Sequence, residues 1–234
     1  MKAIFKREFK SYFHSMLGYL FIGLFIYFCA SNFIDGPILT QYADPFYTFR
    51  AANMLFVFLV PILTMRTFAE ERGKKTDQLL LCSPVSITKI VLGKYLGALS
   101  IFGIALCISL VFPITLSFFA EVSLREVIAS YIGIILLWSA AISIGMFISS
   151  ITENQIIALI ISMGFFLIVY LIDTFATSFL NNAVILKVIS WISILERFDE
   201  MQTGIIDVGS ILYYLCINFI FIFLTVRVID RRRY

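Results

Sequence analysis

The stretch NQIIALIISMGFFLIVYLI, residues 154–172, contains no charged residue. A helix needs roughly 20 such apolar residues to cross the ~30 Å hydrocarbon core of a bilayer. Five other charge-free runs are found, at 11–34, 51–65, 95–120, 127–152 and 208–226. The 51–65 run is short, and it reaches span length only if Arg66 extends to the interface and the helix continues through Ala69. We therefore predict six membrane-spanning helices.

The composition favours a membrane protein along the whole chain. Hydrophobic residues make up 61% of it and charged residues 14%, and the mean hydropathy is +0.98. The expected fold is all-α, a single polytopic transmembrane domain over 1–234 with no soluble domain. The predicted spans cover about 15–34, 50–69, 88–119, 126–150, 155–174 and 208–228.

The basic residues predict the orientation. Fourteen of the 18 Lys and Arg residues precede the first span, lie between the second and third, or follow the sixth. An excess of Lys and Arg marks the cytoplasmic face, so both termini and the 66–94 segment are expected inside. The basic run 231–233 lies beside a span, where contact with anionic lipid is favoured over nucleic acid.

Two segments are expected to lie at the membrane surface. Residues 2–14 are predicted to form an amphipathic interfacial helix, because four aromatic residues share one arc and four basic residues the adjoining one. The apolar run 11–34 is longer than that of a typical signal peptide and has no small-residue cleavage site at its end, so the N-terminus is not expected to be a removable signal. The outer segment 175–207 has an interrupted apolar pattern, and its Trp191 suits the headgroup level.

Several kinds of chemistry find no support in the sequence. His14 is the single histidine, so no histidine-based catalytic dyad or metal site is expected. The span cores contain essentially no ionisable residue of the kind that ion-driven carriers use. Residues 73–76 resemble the end of a nucleotide-binding P-loop, but Phe68 stands where that motif requires glycine. We expect four reduced cysteines, no bound cofactor and no enzymatic site in this chain.

Charge concentrates in the inner segment 66–88. The pattern predicts that a span leaves the membrane at Arg66, turns at Gly73 and is followed by a short helix over 76–81. Thr76 can cap this helix, with Asp77 in its first turn. Ser83-Pro84 is expected to end it.

The predicted short helix has an apolar face made of Leu79, Leu80 and Leu81. From the residues alone, two interpretations stay open. The helix can lie on the lipid surface, or it can dock into a groove of a cytoplasmic partner.

Residues 61–86, PILTMRTFAEERGKKTDQLLLCSPVS, resemble a signature of type-2 ABC exporter permeases. That signature is P-x-x-T-M-R-x-[FL]-A-E-E-[RK]-x-x-G-T-x-E-x-L-L-x-x-P-[VI]-[ST]. The chain looks most like the gliding-motility and nitrous-oxide-reductase-maturation type, and the likeness continues at 90–96, 147–158 and 196–207. Two positions depart from the pattern: Lys75 stands where the family often has Gly, and Gln78 where it usually has Glu.

The resemblance implies a permease subunit of an ATP-driven exporter in a prokaryotic cell membrane. ATP and Mg²⁺ would be held by cytoplasmic ABC ATPase subunits, not by this chain. A second permease copy, identical or different, and membrane lipids are the other implied partners. An auxiliary membrane or extracytoplasmic subunit is left open, and no nucleic acid is expected. The cargo would be apolar or amphipathic, or the role mechanical.

The resemblance also implies site residues. Residues 74–82 would be the coupling helix, braced by the N-terminal helix. The positions expected to couple to the ATPase are Arg66, Glu70, Glu71, Arg72, Thr76, Asp77, Leu79, Leu80 and Pro84. Ion pairs of the 70–72 triplet could form with the partner or within the loop. A second inner contact is expected at Glu153, Asn154 and Gln155, with plain turn and cap chemistry as the alternative. The outer segment carries the family-like motif Glu196, Arg197, Phe198 and Gly204.

Two other function classes stay open from the sequence. The first is an ion-coupled carrier or channel, which the uncharged span cores disfavour. The second is a lipid-modifying membrane enzyme, for which Glu196, Asp199 and Glu200 on one helix face are the concentrated candidates. Gly93 and Gly97 have the G-x-x-x-G spacing that permits close helix approach.

Overall fold

The computed structural model describes residues 2–38, 52–76, 85–119, 123–179 and 193–232. Within these ranges all regular structure is helical, which confirms the all-α fold. The helices are α1 Lys2–His14, α2 Leu17–Phe33, α3 Ala52–Thr64, α4 Ala69–Gly73, α5 Ile87–Ser109, α6 Val111–Ser117, α7 Leu124–Ile151, α8 Gln155–Phe179, α9 Glu196–Gln202 and α10 Val208–Asp230. A π-helical turn, Ile34–Ile38, extends α2.

Five stretches of the described helices are long and apolar enough to cross a membrane, against the six that the sequence predicts. They are Leu17–Ile38, Ile87–Ser117, Leu124–Ile151, Gln155–Asp173 and Val208–Asp230. The predicted second span corresponds to α3, which has 13 residues. At 1.5 Å per residue α3 is about 20 Å long, shorter than the ~30 Å core. Residues 39–51, which precede it, lie outside the described residues.

The end of the second predicted span differs from the sequence expectation. We predicted one helix through Ala69, but α3 ends at Thr64, and the separate short helix α4 begins at Ala69. The backbone groups that the break frees are bound by side chains from α1, α5 and α7. These long-range contacts compensate for the lost helical hydrogen bonds.

The N-terminal helix packs along the third predicted span. Met16, with φ of 58°, separates α1 from α2. A Cβ atom on Gly93 would lie 2.9 Å from Ile4 Cγ2, and one on Gly97 would lie 3.0 Å from Glu8 Cβ. The G-x-x-x-G spacing therefore admits α1 against the side of α5.

An aromatic cluster forms the centre of the bundle. Trp138 of α7 is fully buried and stacks on Phe102 of α5, with ring centroids 4.5 Å apart. Phe21 and Phe25 of α2 meet the indole edge-on, at 5.9 and 5.5 Å. α7 also packs against α3, α8, α9 and α10, so it is the central helix of the described bundle.

The outer-segment motif forms packing contacts at the far end of α7. Phe198 of α9 is fully buried, and its ring lies 3.1 Å from where a Cβ on Gly133 would be. The Arg197 guanidinium lies 4.5 Å from the centre of the Tyr213 ring. Gly204 has a left-handed φ of 83°, which an L side chain rarely adopts.

Candidate functional site

The break between α3 and α4 is bound by one serine of α7. The Ser149 hydroxyl accepts hydrogen bonds from the Phe68 and Ala69 amides, at 3.2 Å each. It donates to the Met65 carbonyl at 3.1 Å. Ser149 is fully buried, so these contacts satisfy backbone groups that water does not reach.

Two further side chains bind carbonyls at the same break. The Tyr12 phenol of α1 donates to the Leu63 carbonyl at 3.0 Å. The Lys94 ammonium of α5 donates to the Thr67 carbonyl at 2.8 Å. The stretch 63–69 is thus bound to α1, α5 and α7 at once.

Lys94 is the most buried charge of this region. Its side chain is 1% exposed, and its ammonium lies 3.0 Å from a carboxylate oxygen of Glu8 and 3.0 Å from one of Glu71. The Phe68 ring centre is 5.2 Å away. The exposed Arg7 side chain also pairs with Glu71, at 3.3 Å. The two cations balance the two carboxylates, as burial of charge requires.

Glu70 lies between two basic residues of its own segment. It pairs with Arg66 on one side and with Lys74, at 2.7 Å, on the other. Burial opposes ionisation of Glu70, but the hydrogen bond from Lys74 and the charge of Arg66 outweigh it and lower the pKa of the carboxyl. Glu70 is therefore ionised at neutral pH.

Arg72 connects α4 to the junction between α7 and α8. Its guanidinium donates to the carbonyls of Ser150, at 3.2 Å, and Ile151, at 2.7 Å. It also pairs with Glu153 at 2.6 Å. A Cβ on Gly73 would lie 2.9 Å from the Glu153 carbonyl oxygen, so a glycine is needed for this close approach.

The residues of the predicted second inner contact lie at the junction between α7 and α8, where their recorded contacts are within the chain. Glu153 binds Arg72, whereas the Asn154 side chain accepts a hydrogen bond from the Ile156 amide at 2.9 Å. The Asn154 contact is ordinary capping chemistry at the start of α8. Gln155 is the first residue of that helix.

We call this set of residues the basal cluster: Arg7, Glu8, Arg66, Glu70, Glu71, Arg72, Lys74, Lys94 and Glu153. Within the chain, Glu70 of the triplet 70–72 pairs inside its own segment, whereas Glu71 and Arg72 pair with residues of other elements. A polar cavity of about 180 Å³ lies among these residues and is also lined by Ser11, Tyr12, Thr67 and Thr76.

The chain leaves the basal cluster through Lys75 and Thr76. Lys75 has a left-handed φ of 56°, the conformation that glycine adopts without strain and the position where the similar permeases often have Gly. The Thr76 amide and hydroxyl both donate to the Glu71 carbonyl, at 2.9 and 3.3 Å. Of the predicted coupling helix 74–82, residues 74–76 are described and are not helical. The rest of it, with Asp77, Leu79, Leu80 and Pro84, lies outside the described residues.

The acidic residues of α9 lie at the opposite end of the bundle. Glu196, Asp199 and Glu200 are exposed. Burial, followed by the charge of Glu200, raises the pKa of the Glu196 carboxyl. Among the residues that the structure describes, no group of three His, Cys, Asp or Glu side chains could hold a metal ion.

The sequence did not single out several residues that build the basal cluster. The sequence pattern identifies Lys94 only as one of the basic residues between the second and third spans. It gives no role to Glu8 or Ser149. A usable signal existed, because Glu8 is the one acid of α1 and Lys94 is a charge inside an otherwise apolar stretch. Pairing them required the packing of α1 on Gly93 and Gly97.

Replacing Ser149 is expected to loosen the segment 65–73. Ser149→Ala leaves the buried Phe68 and Ala69 amides without an acceptor, at a cost of about 1–3 kcal/mol per unsatisfied group. Hydrogen exchange of the 65–73 amides should then accelerate. The matched control is Ser143→Ala on the same helix, whose hydroxyl donates to the Ala140 carbonyl of its own turn. Equal protection in the two variants would contradict the role given to Ser149.

Comparison with protein families gives the class of the molecule. The sequence model described as ABC-2 family transporter protein matches residues 3–227. The chain belongs to the ABC-2 transporter family. It is therefore a multi-pass membrane protein and the permease component of an ABC transporter, a component that is generally not catalytic itself. Membership implies that this permease associates with an ABC ATPase subunit. No curated protein sequence matches the permease.

Proposed function

We propose that this permease couples ATP hydrolysis on cytoplasmic ABC subunits to export, or to mechanical work, across a prokaryotic cell membrane. ATP and Mg²⁺ are held by the ATPase, and the permease binds no cofactor itself. The subtype that its motifs resemble most is the gliding-motility and nitrous-oxide-reductase-maturation type. A second permease copy completes the translocation unit.

The observation that carries this proposal is the basal cluster. Segment 65–76 is bound to α1 through Arg7, to α5 through Lys94 and to the α7–α8 junction through Arg72. A force on the chain that follows Thr76 would reach three elements of the bundle together. Residues 74–82 act as the coupling helix in this proposal.

The orientation follows from the charge distribution. We place the basal cluster, both termini and the 66–88 segment in the cytoplasm, since Lys and Arg concentrate there. We keep six spans in this proposal, the second of them, at about 50–69, being the one that contains α3. α1 lies at the inner membrane surface, and the 175–207 segment at the outer one.

In the proposed mechanism, ATP binding draws two ATPase subunits together. The coupling helices move with them and tilt the paired permeases, opening an outward path at their interface. A two-state bundle biased by a ligand is sufficient for this. The cargo is apolar or amphipathic, because the described span interiors carry few charges.

The Leu80→Asp variant tests the docking step. It places a charge on the apolar face expected to enter a groove of the ATPase, and burying an unpaired charge is costly. We expect at least a tenfold loss of ATPase subunit co-purifying with the permease, and a matching loss of ATP turnover by the complex.

The matched control for this test is Leu124→Asp. Leu124 is 76% exposed and begins α7 at the opposite end of the bundle, so its replacement should leave assembly intact. If Leu80→Asp assembles and hydrolyses ATP like Leu124→Asp, the docking model is rejected.

A further inference from the structure

A long apolar groove runs beside α5, away from the basal cluster. Its volume is about 870 Å³, and it is lined by Lys2 and Phe5 of α1, by one face of α5 and by Tyr131 and Ile135 of α7. The lining positions run from Leu96 along α5 to Leu110, the residue after its end, a distance of about 21 Å at 1.5 Å per residue.

The two hydroxyl groups that line the groove already have hydrogen-bond partners within the protein. The Ser100 hydroxyl donates to the Gly97 carbonyl of its own helix at 2.7 Å. The Tyr131 hydroxyl lies 3.2 Å from the Ser109 hydroxyl and is partnered there. A polar solute would lose its hydration in the groove without compensation, so the chemistry fits a hydrocarbon chain.

Among the described residues that line the groove, the charged one is Lys2, at its α1 end. Lys2 and Lys6, one turn later, are exposed, and no described carboxylate is recorded within salt-bridge distance of either. The acid of α1, Glu8, is instead engaged by Lys94. An apolar groove with a cationic end complements a molecule that has a hydrocarbon tail and an anionic headgroup.

Gly103 gives the groove its depth. A Cβ atom built on this residue meets no other atom within 4 Å, so a side chain there would enter empty space. A larger residue at 103 can therefore fill the groove without displacing the protein around it.

We propose that this groove binds one anionic glycerophospholipid of the surrounding bilayer. An acyl chain occupies the channel along α5, and the phosphate of the headgroup pairs with Lys2. This inference is independent of the coupling role of the basal cluster.

The proposal is tested on the full chain with phosphatidylglycerol that carries a photoreactive diazirine in its acyl chain. After illumination, peptide mapping should find label on residues 96–110. Gly103→Leu fills the groove and should reduce that label at least tenfold. Label on the exposed lipid-facing side of α10, which includes Leu212, Phe219 and Phe223, should stay unchanged.

Two variants control for folding and for the headgroup. Gly164→Leu introduces the same side chain at another open glycine, outside the groove, and should label like the wild type. Lys2→Gln should reduce labelling by phosphatidylglycerol but not by a phosphatidylcholine probe with the same acyl chain.

Three results would overturn the proposal. The first is equal labelling of 96–110 in Gly103→Leu and Gly164→Leu. The second is equal labelling by the two lipid headgroups in the wild type. The third is efficient disulfide cross-linking of two permease copies through Cys107, a lining residue of the groove, because a second copy would then cover the site.

Discussion

Lys94→Met is expected to be among the most destabilising single substitutions at the inner end of this permease. It removes the cation from between Glu8 and Glu71, whose side chains are only 12% and 14% exposed. Breaking a buried ion pair from one side costs about 3–5 kcal/mol, because a charge is left without compensation. Thermal unfolding of the purified permease in detergent, followed by tryptophan fluorescence, measures this loss.

Two companion variants make the Lys94 result specific. Lys89→Met removes a charge from an exposed position on the first turn of the same helix, and should change stability by no more than about 0.5 kcal/mol. Adding Glu8→Gln to Lys94→Met removes one of the two carboxylates left without a cation. The double variant should therefore lose less free energy of unfolding than the sum of the losses in the two single variants. If Lys94→Met and Lys89→Met unfold at the same temperature, the role given to the buried ion pairs of Lys94 is contradicted.

Glu71→Lys should have the second large effect. The new ammonium would stand beside Lys94 and Arg7, the two cations that Glu71 now neutralises. We expect a loss of about 3–5 kcal/mol in the free energy of unfolding. In the assembled transporter, ATP turnover should fall because segment 65–76 loses its ion pairs to α1 and α5.

Glu153→Lys is the matched reversal for Glu71→Lys. Glu153 also pairs with one arginine, but its side chain is 75% exposed. An exposed pair contributes about 0–1 kcal/mol, so the isolated permease should unfold nearly as the wild type does. If the two charge reversals lower the free energy of unfolding of the permease equally, burial does not determine how much an ion pair of the basal cluster contributes to stability.

Much of the fold could be predicted because bilayer crossing is a local property of sequence. The apolar runs predict the long helices, and the alternation of aromatic and basic residues over 2–14 delimits α1 as Lys2–His14. The spacing of Gly93 and Gly97 predicts close helix approach. It does not say that the approaching helix is α1, because the identity of a partner is not encoded in the spacing.

The basal cluster could not be assembled from sequence, since its contacts join distant positions. Glu8 and Lys94 are 86 residues apart, and Phe68 and Ser149 are 81 apart. Local patterns favoured a continuous second span through Ala69, with Arg66 extended to the interface. The break at 65–68 depends on hydroxyls and an ammonium from other helices, which periodicity along one helix cannot anticipate.

The proposed coupling requires that the chain leaving the basal cluster faces and contacts the ATPase. The test places a benzophenone photocross-linker on Lys75→Cys in an assembled transporter whose permease has its four native cysteines replaced by serine, with Ile205→Cys in the same background as the counterpart. Lys75 is exposed beside the basal cluster, and Ile205 is 59% exposed at the opposite end. The account predicts cross-linking to the ATPase subunit from position 75 and none from 205. A cross-link to the ATPase from position 205, or none from 75 in an intact complex, would contradict it.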